Sequence, residues 1–388
     1  MVVSLSSPQV TYCTQTTGAT GCAEGSVKTA SGGAAAPQIT TTPFPLSLTA
    51  NQTQGLAVNF NLANALTVTR QTQVVTAVNL AAANVLSASN LPATASSLLA
   101  GELSFIEDIT GVVTASNAST QSVTVKTATR GSITVTANSS TVFSPNCTNF
   151  KLALNFSSCV AQGQVASLDM VLNTNGTFTL LEYDPLATAT GDWIEGIVTS
   201  TPSSSTQLQV VTNELVLSTT NSLIGSGLTF AAPVNVTLAA PKPFAVDSKG
   251  LVVPTAIAFN GGTDTSMLAP GQTVAAHVTA FTAGSGSTVA VASADFLYLR
   301  FTRVTGTVSS TAPPNAFVMQ SFPPFFALTT PITVQLSAGS PSTNFDGISG
   351  ASALTASQTV SITALYFGPP VGITTTPTPF SAAKVRVP

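Results

Sequence analysis

The dominant period along the chain is two. The stretch "SVTVKTATRGSITVTANSSTVF" (122–143) alternates apolar and polar positions through two runs that part at Arg130–Gly131. Val123 and Val125 share one face of the first run, and Ile133 and Val135 share one face of the second, which predicts two half-buried strands. "LQVVTNELVLSTT" (208–220) and "PITVQLSAG" (331–339) alternate in the same way. Pro and Gly punctuate nearly every gap, and no long run of period 3.6 occurs. One short helix is predicted at "LPATASSLLAGEL" (91–103), with Pro92 near its first turn. The pattern is that of an all-β protein.

Landmarks recur along the strands. A Gly-x-Val signal stands at Gly111 ("TGVVTAS"), Gly196 ("EGIVTST") and Gly306 ("TGTVSST"). Each follows an aromatic and charged stretch: "FIEDITG" (105–111), "DWIEG" (192–196) and "RFTRVTG" (300–306). Each precedes a Gln-led strand: "GQVASLDM" (163–170), "GQTVAAHV" (271–278) and "SQTVSITA" (357–364). From the first glycine to the residue before that glutamine, the first copy takes 52 residues, the third 51 and the middle one 75. "STVF" (140–143) and "STNF" (342–345) sit at matching places in the first and third copies. Such a period predicts tandem units: a partial N-terminal β-domain (1–104), then small β-barrel or sandwich-like, OB-like units at 105–190, 191–304 (with an insertion) and 305–388. Each unit would hide its strand edges by closure or by pairing with a neighbour.

These motifs resemble the bacterial envelope repeats called domain of unknown function 5666, over roughly 105–388. The middle copy, with its insertion, departs furthest from the pattern. "TTPFPLSLTANQTQGLAVNFNLANALTV" (41–68) is similar to the closing strands of another exported β-domain, domain of unknown function 4382, of which only that half is present. The resemblance implies small tandem β-modules of exported proteins. It brings no catalytic residue to carry over.

Composition narrows the function classes. Charged residues are only 6% of the chain, while Ser and Thr fill 105 of 388 positions. Abundant Thr and Val with little charge suit pleated strands rather than disorder. The net charge is −3, and the 11 basic residues form no patch, so the expected partners do not include nucleic acid or an anionic membrane surface. No stretch is apolar enough for a transmembrane segment. Cys13 and Cys22 bracket one short loop, and Cys147 and Cys159 another. Two local disulfides are the expectation, implying a periplasmic or extracellular setting; four free thiols are the alternative. The spacing is wrong for zinc, and His277 is the only histidine. The start "MVVSLSSPQVTYC" lacks the pattern of a signal peptide, so either a signal was removed or the chain start is misplaced.

Chemistry concentrates in "LLEYDPLATATGDWIEG" (180–196). It holds Glu182, Asp184, Asp192 and Glu195, four of the 14 acidic residues, and Trp193, the only tryptophan. Its position in the repeat makes it a junction between two units. Arg300 and Arg303 occupy the corresponding place in the third copy, which argues against a shared catalytic acid and allows Arg–carboxylate pairing between units. Such pairs contribute about 0–1 kcal/mol at a surface.

Three functions compete for this stretch. The leading one is a non-enzymatic structural or adhesive protein of a bacterial envelope, contacting a polymer such as polysaccharide or an envelope protein, with self-association favoured by sparse charge. Glu182, Asp184, Asp192, Trp193 and Glu195 are its candidate ligand-binding residues. The second is a polysaccharide hydrolase, in which Asp192 or Glu195 would approach Glu182 and Asp184 across a turn at Pro185 and Trp193 would stack on sugar. The third is a module stabilised by calcium on the same acids or on "NGGTDTS" (260–266) with Asp264, although no Asp-x-Asp-x-Asp-Gly loop is present. Otherwise no cofactor is expected. His277 is read as a surface residue on a solvated strand face, since no serine elbow supports a triad. The phenylalanines of "QSFPPFFALTTP" (320–331) are read as core filling around a turn.

Overall fold

A computed structural model describes residues 105–387 apart from 129–130, 144–146, 148–154, 174, 189–190, 202–205, 219, 249–250, 254–258, 287, 312–314, 323–325, 327–330, 340–341, 347 and 369–379. Before residue 105 it describes 2–4, 9–17, 20–22, 26–31, 38–40, 56–61, 65–68, 75–79 and 84–90. The helix expected at 91–103 lies outside the described residues. In the N-terminal part the described strands pair antiparallel, as in Gln9–Cys13 with Val27–Ser31 and Leu56–Asn61 with Asn84–Asn90. Cys13 and Cys22 are disulfide-bonded there, with Cα atoms 5.5 Å apart.

Beyond residue 105 the strands close into barrels. In the first, Phe105–Asn117 pairs antiparallel with Ser122–Lys126 on one side and Gln164–Leu172 on the other. Ser122–Lys126 pairs with Ser132–Thr136, and Gln164–Leu172 pairs with Phe178–Thr188. Ser132–Thr136 then meets Phe178–Thr188 in parallel, which closes a five-stranded ring. This is the pairing scheme of an OB barrel. The single turn of α-helix, Phe156–Cys159, lies between the third and fourth strands. Cys159 on it is bonded to Cys147, with Cα atoms 5.0 Å apart.

The same scheme returns twice. The second ring runs through Asp192–Ser200, Gln207–Val216, Pro233–Leu238, Thr273–Thr282 and the first half of a long strand, Ala290–Thr311, with the parallel closure between Pro233–Leu238 and that strand. The third takes the second half of the long strand, then Ala316–Gln320, Ile332–Leu336, Thr359–Tyr366 and Phe380–Arg386, and closes in parallel between Ile332–Leu336 and Phe380–Arg386. One strand thus closes the second barrel and opens the third. Each ring encloses its own core, around Leu168 and Tyr183, Leu208 and Leu297, and Phe317 and Phe380.

The recurring motifs are the joints of these barrels. A Cβ on Gly111, Gly196 or Gly306 would stand 2.7, 2.5 or 2.7 Å from the carbonyl oxygen of Lys126, Val211 or Gln320 on the next strand. Only glycine permits that approach. Two residues later each opening strand carries a register shift, at Val113/Ala115, Val198/Ser200 and Val308/Ser310. Such bulges bend a strand and increase its twist, as closure requires. The carbonyls of Val113, Val198 and Val308 accept from the N–H of Gly163, Gly271 and Ser357 at 2.8–2.9 Å. Those three residues have positive φ (86°, 94° and 66°). The glutamine after each folds its Oε1 back onto a backbone N–H: Gln164 onto Ala161 (2.8 Å), Gln272 onto Ala269 (2.7 Å), Gln358 onto Thr355 (3.0 Å). "STVF" and "STNF" also match. Thr141 and Thr343 donate to the carbonyls of Leu180 and Ala382, and both segments add a short parallel strand to the closing strand.

Candidate functional site

The outer face of the second barrel, where it meets the first, carries the chemistry. Register fixes who stands beside whom. One row across it is Val216, Trp193, His277 and Phe296; the next is Glu214, Glu195, Ala275 and Tyr298; Arg300 follows beside Thr273. Alternation along "DFLYLR" (295–300) sends Leu297 and Leu299 into the barrel and leaves Phe296, Tyr298 and Arg300 outside it.

Four rings gather there. Trp193 lies 5.0 Å from His277, 5.7 Å from Tyr298 and 6.5 Å from Phe296, and Phe296 lies 4.7 Å from Tyr298. All four are half-buried. A bulge between His277 and Val278 leaves Asp295 without a register partner. Its carboxylate bonds the Nδ1 of His277 at 2.7 Å and the ammonium of Lys242 at 2.9 Å. Burial raises the Asp295 carboxyl, but the bonds from His277 and Lys242 outweigh it and hold the group below its ordinary range. His277 therefore departs from the solvated surface residue expected. It is clamped between an indole and a carboxylate, and Gly191 touches its other edge: a Cβ there would sit 2.5 Å from Nε2.

Below the rings runs a buried ion cluster. Arg300, 3% exposed, places Nη1 3.4 Å from Oε2 of Glu195 and Nε 3.2 Å from Oδ2 of Asp247. Glu214, also buried, stands directly across from Glu195. Arg300 does pair with carboxylates, but within the second barrel rather than between units, and the pairing is buried, so surface energetics do not apply to it. A buried pair is costly to assemble and costlier to halve. The Tyr298 hydroxyl is shifted upward by burial and by Asp247.

Against this face the first barrel sets Val112 and Val165, which pack with Val216 and Trp193. A small, partly open pocket remains between the barrels, lined by Thr110, Val165, Trp193, Glu195, Val216, Ala275, Tyr298 and Arg300. About 20 Å³ of it is open to the centre of a water molecule, and its accessible wall is almost wholly apolar.

The five candidate residues do not form one constellation. Trp193 and Glu195 share the pocket. Asp192 points to the other side of its strand and organises the loop that follows the neighbouring strand Gln207–Val216. Its Oδ1 accepts from the Ser218 N–H (2.7 Å), and its Oδ2 from the Ser222 hydroxyl (2.8 Å) and the Ile224 N–H (2.7 Å). Glu182 and Asp184 do share a face of Phe178–Thr188, opposite Asp169 and Ser167, but neither lines the pocket. The expected turn at Pro185 is absent, because the strand runs on to Thr188 and absorbs the proline at a register shift opposite Ala166. Asp264 caps the 3-10 turn Thr265–Met267 by accepting from Ser266. Among the described residues, no three His, Cys, Asp or Glu side chains stand together as a metal site. Phe322 and Phe326 are buried, as the core-filling reading expects.

No family model and no curated protein matches the chain. Among solved structures it is similar to the Drosophila Unr CSD456 over 67% of this chain and 90% of that one, at 7% identity and a TM-score of 0.17. A likeness of that size supports no statement about activity, and the barrel assignment above rests on strand pairing alone. No described helix is long and apolar enough to cross a membrane.

Proposed function

We propose that the chain is a non-enzymatic binding protein of a bacterial cell envelope, and that it contacts polysaccharide through the outer face of the second barrel around Trp193. The observation that carries this reading is the set of four half-buried rings beside the Lys242–Asp295–His277 array. Aromatic faces supply sugar-stacking area at low entropic cost, and the adjoining charged groups offer donors and acceptors to hydroxyls. The two disulfides favour an oxidising compartment. The engagement of Asp192 with its loop and of Glu195 with Arg300 weighs against the hydrolase reading, which needs those carboxylates at a sugar.

Retention on insoluble glycans and peptidoglycan tests this, with indole emission followed and released sugar assayed. Retention without released sugar is expected, and Trp193→Ala should lose it by at least tenfold. Sugar release that disappears in Glu195→Gln or Asp184→Asn would overturn the proposal.

A further inference from the structure

The pocket beside Trp193 narrows the ligand class. Trp193 and Tyr298 belong both to the aromatic face and to the pocket wall, so a sugar held by these rings lies next to the pocket. The space inside is about that of one water or methyl group. Thr110, Glu195 and Arg300 line it together with Val165, Val216, Ala275 and the two rings, but the Thr110 hydroxyl, Oε2 of Glu195 and Nη2 of Arg300 have almost no exposed surface, so the accessible wall is apolar. A hydroxyl entering would lose water and find no partner on that wall, which is unfavourable. A methyl group would gain by burial. Among common glycan substituents, the N-acetyl group offers one methyl of that size, carried clear of the sugar ring by its amide.

Resting on the polysaccharide reading above, we infer that the site selects acetamido sugars, with the acetyl methyl seated in this pocket. Hydroxyl-only glucans would stack on Trp193 without filling it.

The test is a fluorescence or calorimetric titration of the intact, oxidised chain with oligomers of N-acetylglucosamine, the N-formyl and N-butyryl analogues, and glucose. Tighter binding of the N-acetyl oligomer is expected, by about fourfold or more over the N-formyl and glucose oligomers, the size of one buried methyl. The N-butyryl analogue should bind worse than N-acetyl because its chain is too long for the space. Ala275→Val, which fills the pocket, should erase the N-acetyl preference and keep glucan binding. Equal binding of the N-acetyl, N-formyl and glucose oligomers, or an undiminished preference in folded Ala275→Val, overturns the pocket assignment while leaving the aromatic platform. Absence of binding to every oligomer overturns both readings.

Discussion

Two seams join the three barrels, and they are built differently. Between the second and third barrels the backbone never breaks: Ala290–Thr311 serves both. That seam is also closed by apolar contact. The Phe326 ring lies against Gly271, where a Cβ would come within 2.4 Å of it, and meets Tyr366 edge-on at 5.6 Å. The Gln272 amide donates to the Tyr366 carbonyl at 3.0 Å and the Thr302 hydroxyl to the Gly271 carbonyl at 2.8 Å. Between the first and second barrels the strands are separate, Phe178–Thr188 and Asp192–Ser200. That seam has a few valines and a small pocket, beside the buried ion cluster of the second barrel. A continuous, well-packed joint transmits force and holds geometry. A joint with residual space is where a ligand finds room, and the aromatic face lies there.

Arg300→Ala would leave Glu195 and Asp247 buried without their shared cation. A loss of about 3–5 kcal/mol is expected in denaturant unfolding, the range for halving a buried pair. Arg303, three residues further along the same strand and exposed, should cost under about 0.5 kcal/mol when replaced by Ala. Equal effects at the two arginines would show that the cluster does not hold the second barrel together.

Arg300 also shows what the sequence could and could not reveal. Period-two alternation is a backbone property, so strands and barrels were legible in it. The Gly-x-Val and Gln-led landmarks repeated because each meets one local demand: a close approach, a bulge, a positive-φ turn. The candidate site was half legible. Trp193 and Glu195 stood out by rarity, and alternation puts Phe296, Tyr298 and Arg300 on one face of their strand, but only the pairing through Thr273–Thr282 brings that face beside them. Asp247, Lys242 and Asp295 come from a distant loop and a bulge, which no local pattern marks. The 180–196 acids suggested one constellation because they are close in sequence. Alternation at Asp192 and the uninterrupted strand through Pro185 separate them in space.

The second seam is sharpened by a pair of glycines. Gly271→Ala adds a methyl at φ 94° that also runs into the Phe326 ring. The equivalent Gly163 has φ 86° with open space around it. Gly163→Ala should cost only the backbone term, about 1–2 kcal/mol. Gly271→Ala should cost about 1–3 kcal/mol more from overpacking. The excess should vanish in Phe326→Ala, measured as a double-mutant cycle. If the two glycine variants are equally destabilised, Phe326 does not lock the third barrel to the second.

The smallest effect is electrostatic and belongs to the first seam's aromatic face. The Asp295 carboxyl is held below its ordinary value of 3.8 by His277 and Lys242 against the opposing effect of burial. A carboxyl depressed in the folded state stabilises the fold above its unfolded value. That contribution fades as pH falls through the lower, folded value. Stability should therefore decline below about pH 4 with a component that Asp295→Asn removes. The size should stay under about 1 kcal/mol, because Lys242 is 64% exposed and water screens its half of the array. Lys242→Met should remove part of the same component. Unfolding curves at pH 3, 4 and 6 for these variants decide it. A slope identical in the parent chain and Asp295→Asn would mean that the array orients His277 against Trp193 without adding to stability.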